Sequence, residues 1–175
     1  MAETRPYDEW IPFFQYLAAI AAALLAVAFL AIQVRTDAWR GKPLRAALAV
    51  LTLAELAAPV FFGLIFLFPG HPWNVAGQVV GASGYVAILW HAGSFRRHRH
   101  DATKLDKWQM AGSALPVTTF SLVLWYPDLR WKAAVLVWLI FSGLTEAWFF
   151  LRLPVMVEEG QPSGQGQPPM LPAKA

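Results

Sequence analysis

Three side chains in apolar surroundings are the residues of this chain best suited to chemistry: Glu55, Glu146 and His91. Glu55 is the only charged residue between Arg45 and Arg96, and Glu146 is the only one between Lys132 and Arg152. A charge near the centre of a bilayer costs on the order of 2.5–3.5 kcal/mol even on lenient scales, so an acid kept there needs a partner or a task. A carboxyl group shielded from water can deliver a proton to an alkene or epoxide, and an imidazole can relay one. The chemistry these residue types predict is acid–base chemistry on a lipophilic substrate.

The elements that must position them are apolar segments. Of 175 residues, 57% are hydrophobic and 14% charged, against about 25% charged in an average soluble domain. The charge-free stretches exceed the roughly 20 residues needed to cross a hydrocarbon core of ~30 Å. Five segments are predicted to span, at 13–34, 46–68, 75–95, 108–126 and 133–151. They are helical because lipid offers backbone amides no water to bond. Pro12, Pro43, Pro69-Gly70 and Pro154 punctuate their ends. The fourth, with Ser113, Pro116, Thr118 and Thr119, is polar enough to be a shorter or re-entrant element. The fold class expected is an all-α, polytopic, five-helix transmembrane bundle over 13–154, with a short extracytoplasmic tail at 1–12 and a disordered Gly-, Pro- and Gln-rich cytosolic tail at 155–175.

Orientation follows from the loops. Arg35, Arg40, Lys42 and Arg45 lie between the first two segments, and Arg96, Arg97, Arg99, Lys104 and Lys107 between the third and fourth. The positive-inside rule makes both loops cytosolic, so the N-terminus is outside and the C-terminus in the cytosol of the cell (inner) membrane. The acidic N-terminal tail and the length of the first segment argue against a cleaved signal peptide. The basic charge thus reads as membrane orientation, not as a nucleic-acid surface.

At 1.5 Å per residue, Glu55 lies roughly 14 Å and Glu146 roughly 8 Å from the cytosolic ends of their helices, so the two acids can share a pocket. Thr52, Glu55 and Pro59 line one face, and Ser142 precedes Glu146 by one turn. His91 follows Gly77 and Gly84 at intervals of seven, on a small-residue face that permits close helix approach and directs the imidazole into the bundle. Thr52, Ser142, Tyr85, Trp90, Trp138 and Trp148 are the expected substrate-binding side chains, the aromatic faces stabilising cationic intermediates. Each residue also has a structural reading. A membrane glutamic acid can serve helix packing by bonding a hydroxyl, Glu146 can reach an inner-loop arginine, and His91 can be a packed or interfacial histidine. The run Phe95-Arg-Arg-His-Arg-His is similar to a headgroup-binding patch, which orientation also explains.

The stretch Asp37-Ala-Trp-Arg-Gly-Lys-Pro-Leu44, followed by Glu55 in the second helix and Glu146 in the last, resembles the integral-membrane terpene cyclases of meroterpenoid pathways. The likeness covers the second helix, the loop before it and the last helix. It implies that Glu55 and Glu146 take part in protonating an isoprenoid. The chain departs from that family in having five predicted helices where the family has seven, and in carrying Ala54 before the acid where Asn and Trp are usual.

Three functions are compatible with these residues. One is an intramembrane enzyme of proton-initiated cyclisation or isomerisation type, with the basic inner loops available to a phosphate headgroup. Another is a proton-coupled transporter of a small hydrophobic solute, for which an odd helix count and the lack of an internal repeat are unfavourable. The third is a non-catalytic subunit or assembly partner of a membrane complex, in which the glycine face and the buried acids serve helix association; a homodimer would complete the pathway of the transporter reading. Membrane lipid and a lipophilic small molecule are the partners expected, and no cofactor or metal is. The chain has no cysteine. Nothing completes a ligand set around His98-x-His100, and the four histidines offer no opposed pair for haem.

Overall fold

The computed structural model describes residues 8–70, 72–100, 102 and 104–152. Those residues are helical, with no strand among them. A 3-10 turn at Asp8–Trp10 leads into α1 (Ile11–Val34), followed by the single turn α2 (Thr36–Trp39), α3 (Pro43–Phe66), α4 (Trp73–His98), α5 (Lys104–Gly112), α6 (Ala114–Trp125) and α7 (Leu129–Arg152). Three stretches are long and apolar enough to cross a membrane: Asp8–Val34, Pro43–Phe66 and Leu129–Phe149. The 26 residues of α4 are as long, but Asn74, Gln78, Ser83, Ser94 and four glycines dilute its apolar character.

The ends of the helices define a direction. The Arg35 guanidinium, just past α1, donates to the Leu151 carbonyl near the end of α7 at 2.6 Å. The first and last long helices therefore run parallel and finish at one end of the bundle. At the other end Lys132 in the first turn of α7 meets Val123 near the end of α6 and Trp73 at the start of α4.

Close approach is built from small residues. A Cβ on Gly63 would lie 2.8 Å from the Ala18 Cβ, so α1 and α3 touch there. Phe14, Phe62 and Phe66, all fully buried, fill the space beside that contact with ring centroids 4.5–5.1 Å apart. The opposite face of α1 leaves Tyr16, Ile20, Val27, Leu30 and Val34 exposed, an apolar stripe suited to lipid rather than water.

The expected segments agree with the observed helices to within three residues at most ends and differ further in three places. The segment predicted at 108–126 starts earlier, at Lys104, and is broken at Ser113 into α5 and α6. The Ser113 hydroxyl bonds the Met110 carbonyl at 2.6 Å, and Pro116 has no N–H to offer Gly112. At 12 residues, α6 is roughly 18 Å long, too short to span alone. The segment predicted at 133–151 gains a first turn, because Asp128 accepts the Arg130 N–H at 2.8 Å as a helix-starting side chain does. The basic connector after α1 contains the turn α2, whose Trp39 indole donates back to the Ile32 carbonyl at 2.9 Å. The tail expected at 155–175 and residues 1–7 of the other tail lie outside the described residues.

Candidate functional site

The site begins where α7 crosses α3. Gly143 faces α3 so closely that a Cβ there would lie 2.8 Å from Leu56 Cγ and 3.3 Å from Glu55 Cβ. Bare backbone on one helix thus leaves room for the longer side chains of the other. Glu146, one turn further along α7, places Oε2 2.8 Å from the Thr52 hydroxyl, which also lies 3.1 Å from the Leu48 carbonyl. A hydroxyl carries one hydrogen. With Glu146 ionised, Thr52 can donate to it; with Glu146 protonated, Glu146 donates and Thr52 turns its hydrogen to Leu48. The threonine accommodates both protonation states without leaving its place.

Glu55 lies one turn deeper along α3. Its side chain is fully buried, and neither carboxyl oxygen has a hydrogen-bond partner among the described residues. The polar groups that act on it are the Glu146 carboxyl and the Ser142 hydroxyl. Two acids therefore share one neighbourhood, Glu146 hydrogen-bonded to Thr52 and Glu55 with the Ser142 hydroxyl beside it.

Glu146 also lines a cavity of about 620 Å³, within the usual range for small-molecule sites. Leu48 of α3, Trp108 and Gly112 of α5, Pro116 of α6, and Trp138, Ser142 and Phe149 of α7 form the rest of the wall, with Leu115, Phe141 and Thr145 between them. Thr145 spends its hydroxyl hydrogen on the Phe141 carbonyl at 2.7 Å. The side chains that can meet a ligand's polar atoms are Ser142, Glu146 and the indole N–H groups of Trp108 and Trp138.

Of the residues singled out by sequence, Glu55, Glu146, Thr52 and Ser142 come together, and Trp138 lines the cavity on the same helix as Ser142 and Glu146. His91 is buried, as its glycine-lined face predicts, with both ring nitrogens unbonded among the described residues. Asp106 of α5 is near enough to act on it electrostatically, and His91 is not part of the cavity wall. Tyr85 hydrogen-bonds Ser121 of α6 through its hydroxyl. Trp90 and Trp148 stand on the outer surface, with the Arg152 guanidinium 4.6 Å over the Trp148 ring.

Lys132 was not evident from sequence, where it resembles an ordinary loop cation. It is 2% exposed and donates to the Val123 carbonyl beside Gly77, with its ammonium 5.6 Å from the Trp73 ring. The cavity wall was partly legible: Trp138, Ser142, Thr145 and Phe149 recur at helical spacing along one face of α7. Trp108, which reads as an interfacial anchor, carried no such signal.

No protein-family model, curated protein or solved structure matches this chain.

Proposed function

We propose that this is a multi-pass protein of the cell (inner) membrane whose Glu146–Thr52–Glu55 cluster carries out acid–base chemistry on a lipophilic substrate held in the adjoining cavity. The observation that carries the reading is the position of Glu146: one carboxylic acid bonds a buried threonine, neighbours a second acid and lines an otherwise largely apolar cavity. Glu146 gives the initiating proton to the substrate, Glu55 tunes it, and the proton lost when the rearranged cation collapses to an alkene returns to the carboxyl pair. Ser142 orients the substrate, and Trp138 and Phe141 offer their ring faces to positive charge developing on carbon. Proton-initiated cyclisation or isomerisation of an isoprenoid alkene or epoxide fits those parts, and the likeness to meroterpenoid cyclases favours the same class. The five-pass arrangement, N-terminus outside and C-terminus in the cytosol, is part of this proposal. The Arg35–Leu151 bond supports it by putting the ends of α1 and α7 together.

Purified protein in liposomes, supplied with a panel of isoprenoid alkenes and epoxides, tests the chemistry. Rearranged product is expected from the unaltered chain, falling by at least about 100-fold in Glu146→Gln while that variant remains folded. Full turnover by the variant would remove Glu146 from the reaction, and uptake of unaltered solute driven by a pH gradient would assign transport instead. Since the chain has no cysteine, single Arg40→Cys and Phe68→Cys variants report topology. The first is expected to label only after permeabilisation and the second in intact cells.

A further inference from the structure

The cavity has an open side and a charged rim. Trp108, Leu115, Trp138, Phe141 and Phe149 line it and are also exposed, so its mouth lies on the flank of the bundle between α5–α6 and α7. A ligand reaches that mouth from the side, through the apolar surroundings of the helices. One turn beyond the last wall residue of each flanking helix stands a cation: Arg45 three residues before Leu48, Lys104 four before Trp108, and Arg152 three after Phe149. Residues three and four apart share a helix face. Lys104 and Arg152 are exposed, Arg45 is half-buried, and Trp148 holds Arg152 in place. All three lie toward the end of the bundle where Arg35 meets Leu151.

We propose that the cavity's ligand is a phosphate-bearing amphiphile, its apolar chain lying among the aromatic side chains and its headgroup held by Arg45, Lys104 and Arg152. This rests on the function proposed above and narrows its substrate. The arrangement also fixes where the chain is attacked. Glu146 precedes Arg152 by six residues, roughly 9 Å along the helix, so the acid addresses the apolar chain well away from the phosphate.

The test reads binding rather than turnover. A bimane label on Leu115→Cys, in a chain without other cysteines, reports occupancy of the mouth in dodecyl maltoside micelles. Dodecyl phosphate is expected to shift the label at a concentration at least tenfold below that needed for dodecyltrimethylammonium, with inorganic phosphate alone producing no shift. Lys104→Gln and Arg152→Gln should each weaken dodecyl phosphate about fivefold and leave dodecanol unchanged, since a cation near a charged lipid surface contributes about 1 kcal/mol. Equal affinity for the anionic, neutral and cationic chains would overturn the headgroup assignment, as would unchanged dodecyl phosphate binding in both glutamine variants. Competition by inorganic phosphate as strong as that of dodecyl phosphate would make this a free-phosphate site and overturn the amphiphile. None of these outcomes alters the turnover loss expected of Glu146→Gln, so this inference and the acid–base reading fail separately.

Discussion

The α4–α6 and α3–α7 seams use the same device, glycine against a larger neighbour, to opposite ends. Along α4, Gly77, Gly81 and Gly84 meet the Lys132 side chain and the Val123 carbonyl, Leu124, and the Phe120 ring. Most polar groups on that seam are paired with one another, Tyr85 with Ser121 and Lys132 with the Val123 carbonyl, while His91, seven residues past Gly84, keeps both ring nitrogens unbonded among the described residues. Along α7 a single glycine, Gly143, brings the helices together beside Glu55, and a cavity opens along the same helix next to Glu146. The first seam spends most of its polarity on cohesion and leaves one imidazole over. The second keeps one carboxyl without a hydrogen-bond partner among the described residues and turns another toward a cavity.

That contrast can be broken most easily at its tight side. A Cβ on Gly81 would lie 2.6 Å from Leu124 Cβ and 3.0 Å from Leu124 Cα, where backbone blocks relief. Gly81→Leu is therefore expected to destabilise the bundle by about 3 kcal/mol, the upper range for overpacking, read as a drop in thermal unfolding temperature in detergent. Lys132→Met keeps the apolar stem but removes the donor to Val123, and should cost about 1–3 kcal/mol in the same assay. The sign reverses at Glu55. Because its oxygens have no hydrogen-bond partner among the described residues, Glu55→Met should stabilise the fold by about 1–2 kcal/mol while abolishing turnover. A destabilised Glu55→Met protein would make this seam a packing device like the other. Thr52→Val removes one hydrogen bond to Glu146 and should cost about 1 kcal/mol. A loss beyond about 3 kcal/mol would show the threonine to be structural.

Much of this organisation is legible in the chain because the energetic cost of polarity in apolar surroundings concentrates attention on few residues. Glu55, Glu146, Thr52 and Ser142 fall on facing stripes of two helices, and helical spacing with opposite chain direction is enough to bring them level. Burial of His91 followed from the glycines at Gly77 and Gly84. What escaped were features that depend on a neighbour's end. Lys132 is buried because α6 stops two residues after Val123, leaving a carbonyl to be satisfied. The cavity lies against the break between α5 and α6, where Gly112 and Pro116 form part of its wall. Neither event has a spacing signature. Residue type alone makes Tyr85, Trp90 and Trp148 candidate substrate-binding side chains, and type does not say which way a ring faces.

The Thr52–Glu146 bond joins residues 94 apart in the chain. At a synthesis rate of about 5–20 residues per second, α3 leaves the ribosome on the order of 5–20 s before its counterpart does. During biogenesis Glu55 must wait through that interval without the helix that encloses it, and α4, which packs most extensively on α3, is the neighbour on hand to chaperone it.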